Sequence, residues 1–237
     1  MAEKVTIGNC ELWHGDCREV LPLLPAFDLV LTDPPYGVLM NGNPGRRAKL
    51  TEQIEGDATV PDVAWMTAHK AIVWGGNNFG LPRSTGWLVW DKCHPEGSQH
   101  SQAELAWTNV VRTVRHYREA YHGFMRQRDG WFHPTQKPPG LMRWCIGLTD
   151  AACVFDPYMG SGTAGIAAME TGCRFIGVEI HRPYFDIACE RIEKAQAQGQ
   201  MFAKVGAGGT AVQGDMLLPA NAELTGQTTA QPLAGPR

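Results

Sequence analysis

The 237-residue sequence has no Cys-x-x-Cys pair, no apolar run of membrane-spanning length and no net excess of basic residues. Each absence excludes something. The seven cysteines (Cys10, Cys17, Cys93, Cys145, Cys153, Cys173, Cys189) are odd in number and lack metal-ligand spacing. That is neither a disulfide framework nor a zinc knuckle, and they read as reduced, mostly buried fillers. Cys93, His94 and His100 lie close together, but Pro95, Gly97 and Ser98 mark a loop and no fourth ligand is apparent, so no metal is expected. The start, Met1-Ala2-Glu3-Lys4, lacks a signal peptide's apolar core, so a cytoplasmic protein without a membrane partner is expected.

The net charge of −3 conceals an uneven distribution. From Arg112 to Arg143 seven positive residues face only Glu119 and Asp129, which leaves that stretch at +5 and the rest of the chain at −8. One basic stretch on an acidic body is enough for phosphate contact. The length suits one domain with a sizeable core. It is expected over residues 1–195, with a tail at 196–237 rich in Gln, Ala, Gly and Thr that reads as disordered.

Short β-rich runs alternate with helix-like runs, the mark of an α/β fold. Strands are expected near Glu11–His14, Phe27–Thr32, Ala71–Trp74, Trp87–Trp90, Ala103–Trp107, Cys153–Phe155 and Arg174–Val178. Helices are expected from Cys17 to Leu24, from Pro138-Pro139 to Leu148, over Thr163–Glu170, and from Arg182 to about Ala195. This alternation predicts a three-layer, Rossmann-like α/β sheet, mostly parallel, with an antiparallel hairpin at one edge and helices on both faces.

Two strings carry chemistry. Asp33-Pro34-Pro35-Tyr36 closes a buried strand, at the edge where open α/β sheets bind ligands. It arises by chance in roughly one chain per thousand of this length. Asp33 and the Pro34 carbonyl can each accept a hydrogen bond from one exocyclic amine. Pro35 helps hold that carbonyl in direction, and Tyr36 offers a face for an extruded base. The second string is Asp156-Pro157-Tyr158-Met159-Gly160-Ser161-Gly162-Thr163, a strand passing through glycines into a helix. Such a loop brings backbone close to a ligand, and Glu179, at the end of the next strand, suits a ribose. A third string, His133 to Pro138, contains Thr135 and Lys137, either of which can hold a ligand carboxylate.

Together these strings resemble the DNA amino-methyltransferases, in particular the permuted (beta) class in which the catalytic motif precedes the cofactor motif. The resemblance runs over roughly residues 8 to 195. It implies S-adenosylmethionine as cofactor, bound through Asp16, Thr135, Lys137, Asp156, Gly160, Ser161, Gly162, Thr163 and Glu179. It implies methyl transfer to an exocyclic amine of a base flipped out of double-stranded DNA, with Asp33, Pro34, Pro35 and Tyr36 as the catalytic set. An Asp-led motif goes with adenine N6 and a Ser-led one with cytosine N4, so adenine is the reading and cytosine the alternative. RNA adenine and a protein glutamine amide are further substrates to weigh, and an inactive regulator that binds cofactor or DNA is the non-enzymatic alternative. Arg46, Arg47, Lys49, Arg112, Arg115, Arg118, Arg126 and Arg128 are the expected DNA contacts. Such families often insert a target-recognition region. Here only about residues 109–132 are available for one, which predicts a short or relaxed target. No nuclease is recognisable, which suits a stand-alone, phage-like modification enzyme, and the resemblance also allows a homodimer.

Overall fold

The computed structural model describes residues 2–36, 60–97, 101–120 and 136–208. Nine described strands form one sheet: β1 (Glu3–Ile7), β2 (Cys10–His14), β3 (Leu29–Thr32), β4 (Ala71–Trp74), β5 (Gly86–Asp91), β6 (Ala103–Thr108), β7 (Arg115–Arg118), β8 (Cys153–Asp156) and β9 (Arg174–Glu179). Their order is β1-β2-β9-β8-β3-β4-β6-β5-β7. The five strands from β2 to β4 run parallel, and β1 and β6 run against their neighbours. β5 and β7 pair parallel to each other at the far margin.

Alternation along each strand shows why the sheet is a middle layer. Leu29 and Leu31 of β3, Ile72 and Trp74 of β4 and Phe175 of β9 pack into one cluster with Leu141, Cys145, Ala164, Phe185, Ala188 and Ile192. Those partners belong to α2 (Pro139–Ile146), α3 (Thr163–Glu170) and α4 (Arg182–Gly208). Val30, Val73, Phe155, Ile176 and Val178 point the other way, onto Val20, Val63 and Met66. Among the described residues that second face is covered by α1 (Cys17–Val20) and short 3-10 turns at Leu21–Leu23 and Ala64–Ala68. Both faces of the parallel strands are therefore apolar, as a doubly covered sheet requires.

Three expectations shift. Antiparallel pairing occurs on both sides of the parallel core, because β1 and β2 form a hairpin across the two-residue turn Gly8-Asn9. β7 falls inside the stretch read as a recognition insertion, yet it hydrogen-bonds to β5 as part of the sheet. The last helix continues beyond Ala195 to Gly208.

Candidate functional site at the carboxyl edge of the sheet

Four acidic residues stand at the carboxyl ends of four consecutive parallel strands: Asp16 just beyond β2, Glu179 on β9, Asp156 on β8 and Asp33 just beyond β3. Neighbouring parallel strands present their ends on one side, so strand order alone brings together residues far apart in sequence.

Asp156 braces this edge. Its Oδ1 accepts from the Thr32 hydroxyl at 2.7 Å and from the Tyr158 amide at 3.0 Å, joining the two motif-bearing strands. Burial pushes its carboxyl up to about 7 against those hydrogen bonds, and the charges of Asp33 and Glu179 push the same way. Glu179 is nine-tenths buried and accepts from the Gly160 amide at 2.9 Å and the His181 amide at 2.8 Å. Burial raises it to about 7 as well. A carboxylate has about four acceptor positions, so Glu179 retains capacity for a ligand hydroxyl. Beside it the buried His181 Nδ1 has no partner among the described residues.

The loop from Met159 to Gly162 is tied down from both ends. The Met159 amide donates to the Val178 carbonyl at 3.0 Å. Gly162 has φ +80°, which strains any other residue, and a Cβ there would crowd the Ala188 Cβ of α4 at 3.0 Å. The hydroxyls of Ser161 and Thr163 turn towards the buried Arg191 of α4, whose Nη1 lies 2.8 Å from Ser161 Oγ and 3.3 Å from Thr163 Oγ1. Their described partner is thus within the fold. Asp16 caps α1 by accepting from the Arg18 amide at 2.9 Å, and its carboxylate pairs with the Arg18 guanidinium, which holds it below the usual range.

On the other side of this edge, β3 ends at Thr32, followed by Asp33, which lies partly open, and Pro34-Pro35. The Tyr36 hydroxyl donates to Asp33 Oδ1 and the Lys137 ammonium to Oδ2. Burial, and then the Asp33 charge, push the Tyr36 phenol well above its ordinary value, so it stays protonated as a donor. Its ring rests over Gly75, where a Cβ would lie 2.1 Å from Tyr36 Cε1 and φ is +65°. Lys137, 4% exposed, also pairs with Glu104 Oε2 at 3.0 Å. Glu104 Oε1 in turn pairs with Lys92 at 2.5 Å. Burial opposes the charge on Lys137, but Asp33 and Glu104 outweigh it and its pKa lies above the usual value.

The structure therefore brings Asp33, Pro34, Pro35, Tyr36 and Lys137 to one side of the edge, and Asp16, Asp156, Gly160, Ser161, Gly162, Thr163 and Glu179 to the other. Lys137, expected beside a ligand carboxylate, contacts the Asp33 carboxylate in the described structure. Arg112, Arg115 and Arg118 lie exposed on and before β7. Thr135, Arg46, Arg47, Lys49, Arg126 and Arg128 lie outside the described residues. Sequence reasoning missed Glu104 and Arg191. The signals were present: an acid inside the apolar run Ala103-Glu104-Leu105-Ala106-Trp107, and an arginine three positions from the buried Ala188.

Comparison with known proteins places this edge in context. A family model for N6/N4 methyltransferases, described as DNA methylase, matches residues 65–190. The type II methyltransferase M2.DpnII of Streptococcus pneumoniae is 41% identical over 77% of this chain and 89% of its own. The type II methyltransferase M2.LlaDCHI of Lactococcus lactis subsp. cremoris is 26% identical, over 81% and 92% respectively. Among solved structures the PvuII DNA methyltransferase, which is cytosine-N4-specific, superposes with a TM-score of 0.51 at 13% identity, covering 86% of this chain and 95% of that one. At that identity the likeness speaks to fold alone.

Proposed function

The chain belongs to the N6/N4 DNA methylase family, and from that premise we propose that it methylates the N6 amine of an adenine flipped out of double-stranded DNA. S-adenosylmethionine, when bound, supplies a methyl group carried on a positively charged sulfur. The residues present suit such a cofactor. Glu179 offers spare acceptor capacity beside a His181 Nδ1 that has no partner among the described residues, and Gly160 and Gly162, at φ +51° and +80°, shape the turn that brings the Gly160 amide to Glu179.

The observation that carries the reading is the hydrogen bond between Thr32 and Asp156. It locks the strand bearing Asp33 to the strand that opens the glycine loop, so the amine site and the cofactor site adjoin. Asp33 accepts one N–H of the target amine and the Pro34 carbonyl accepts the other, drawing the nitrogen lone pair out of ring conjugation. Tyr36, seated on Gly75, holds the Asp33 carboxylate and borders the base. No residue has to remove a proton before transfer. The nitrogen becomes positively charged as the new bond forms, and its surplus proton passes to Asp33 and then to solvent. Most of the acceleration comes from positioning and fixed acceptors.

Adenine rests on the Asp-led motif. With few residues available to read base edges, the target is short or relaxed. The test is expression in a host lacking DNA methylation, beside Asp33→Ala, with N6-methyladenine and N4-methylcytosine quantified in digested genomic DNA. Methyladenine that disappears in the variant is the expected result. Methylcytosine alone would move the assignment to N4, and neither base from soluble, cofactor-binding protein would refute it. Sequencing the modified sites tests the target, and a strict six-base-pair motif would contradict a relaxed one.

A further inference from the structure

We infer that Lys137 and Glu104 are positioning residues for Asp33: Glu104 seats the Lys137 ammonium, and that ammonium holds the catalytic carboxylate in one orientation. The inference rests on the methyltransferase reading above and adds to it two residues that act through Asp33.

Three observations support it. First, the sheet topology puts Glu104 where it is needed. β6 runs antiparallel to β4, so its beginning lies at the edge where the parallel strands end, and the Gly75 amide donates to the Leu105 carbonyl at 2.8 Å there. β5 runs the other way and delivers Lys92 to the same place, its amide donating to Gln102 at 2.9 Å. Second, the charges alternate. Asp33, Lys137, Glu104 and Lys92 form a chain of two carboxylates and two ammonium groups. An ammonium paired with Asp33 alone would neutralise it and weaken it as an acceptor. Shared with Glu104, the cation orients Asp33 while leaving it acceptor strength. Third, burial makes the arrangement stiff. Gln136, Lys137 and Pro138 are all buried, and Pro138 leads directly into α2. A buried ammonium losing one carboxylate is left poorly compensated, so Glu104 decides where the Lys137 side chain stays.

A merely structural ion pair would make a different set of changes. It would alter melting temperature and the binding of cofactor and DNA together, and would leave the transfer rate at saturation alone. A role for Lys137 in holding cofactor would raise the cofactor Kd. A positioning role lowers the transfer rate while both dissociation constants hold.

The experiment uses the full chain and, as substrate, genomic DNA from a methylation-deficient host. Wild type, Glu104→Gln, Lys137→Met, Asp33→Asn and the double variant Asp33→Asn with Glu104→Gln are compared. Single-turnover methyl transfer is measured at saturating S-adenosylmethionine, with the cofactor Kd taken by calorimetry on each protein. Glu104→Gln is expected to slow transfer by about 30-fold and Lys137→Met by about 100-fold or more, with the cofactor Kd within about twofold of wild type. In the Asp33→Asn background the Glu104 change should add little, since residues acting as a unit are not additive. Unchanged transfer in Glu104→Gln overturns the inference, and so does a cofactor Kd raised about tenfold in Lys137→Met with saturated transfer intact. Should Lys137→Met not fold, the near-isosteric Glu104→Gln and its double variant decide the matter. A wild type that methylates no DNA removes the functional reading and this inference with it. An active wild type with unaffected variants removes only the inference.

Discussion

The Thr32 hydroxyl donates to the Asp156 carboxylate across the two central strands at 2.7 Å, with both residues buried. This single bond joins the end of β3, which carries Asp33, to the end of β8, which opens the glycine loop. Thr32→Val keeps the shape and removes the donor, and should cost about 1–2 kcal/mol. Asp156→Ala strands both the Thr32 hydroxyl and the Tyr158 amide and should cost about 2–4 kcal/mol. Asp156→Asn retains an acceptor and should fold close to wild type. Denaturant unfolding of the three variants checks the ranking; Asp156→Asn proving the least stable would contradict it.

Glu179 and Asp156 are each raised to about 7, mainly by burial. In the unfolded chain both ionise in the usual carboxylate range. Between that range and about pH 7 the unfolded state therefore releases protons that the folded state keeps. Their contribution to stability is full at acid pH and is lost as pH rises through about 7. Cofactor binding should run the other way, because an ionised Glu179 is the stronger acceptor for a ribose hydroxyl. Calorimetry from pH 6 to 8.5 should show affinity rising several-fold, with the rise flattened and binding weakened in Glu179→Gln. A pH-independent wild-type Kd would argue against Glu179 as a ligand group.

Ser161 and Thr163 turn their hydroxyls to Arg191, within the fold. Ser161→Ala should therefore leave the cofactor Kd within about twofold and cost about 1 kcal/mol in stability. Arg191→Met removes the anchor of the whole loop and should cost about 3 kcal/mol. Calorimetry and thermal melts separate these effects. A tenfold loss of cofactor affinity in Ser161→Ala would place its hydroxyl in the ligand site instead.

Among the basic residues near β7, Arg118 lies 3.3 Å from Asp91, whereas Arg112 and Arg115 have no ion pair among the described residues. Free guanidinium groups meet phosphate without first leaving a partner. Arg115→Ala should reduce the slope of log affinity against log salt by about one for duplex DNA. Arg118→Ala should reduce it by less. Fluorescence anisotropy across a salt series measures both, and equal slopes in wild type and Arg115→Ala would take Arg115 off the interface.

Much of this was legible in the linear chain. The continuous apolar runs Leu29–Thr32 and Ala71–Trp74 mark strands buried on both faces, and Pro34-Pro35 and Pro138-Pro139 punctuate elements because proline cannot donate to a ladder. The two motif strings named the chemistry, since an aspartate beside a fixed carbonyl, and a glycine loop followed by an acid, each have a local physical purpose. β1 and β7 were harder to see. Glu3–Ile7 and Arg115–Arg118 are polar margin strands whose pairing is set by the neighbours they meet.

What the sequence alone determined was the class of elements and the motif strings proposed to carry the chemistry. What only the tertiary structure decided was which side chains meet. Strand order set Thr32 against Asp156, and the reversal of β6 carried Glu104 to the carboxyl edge of the parallel strands. Packing of α4 turned Ser161 and Thr163 towards Arg191, and burial drew Lys137 to Asp33. Those pairings span from 28 to 124 residues of chain. No local propensity reports them, because the energy of a buried charge or hydrogen bond depends on partners that only the folded sheet assembles.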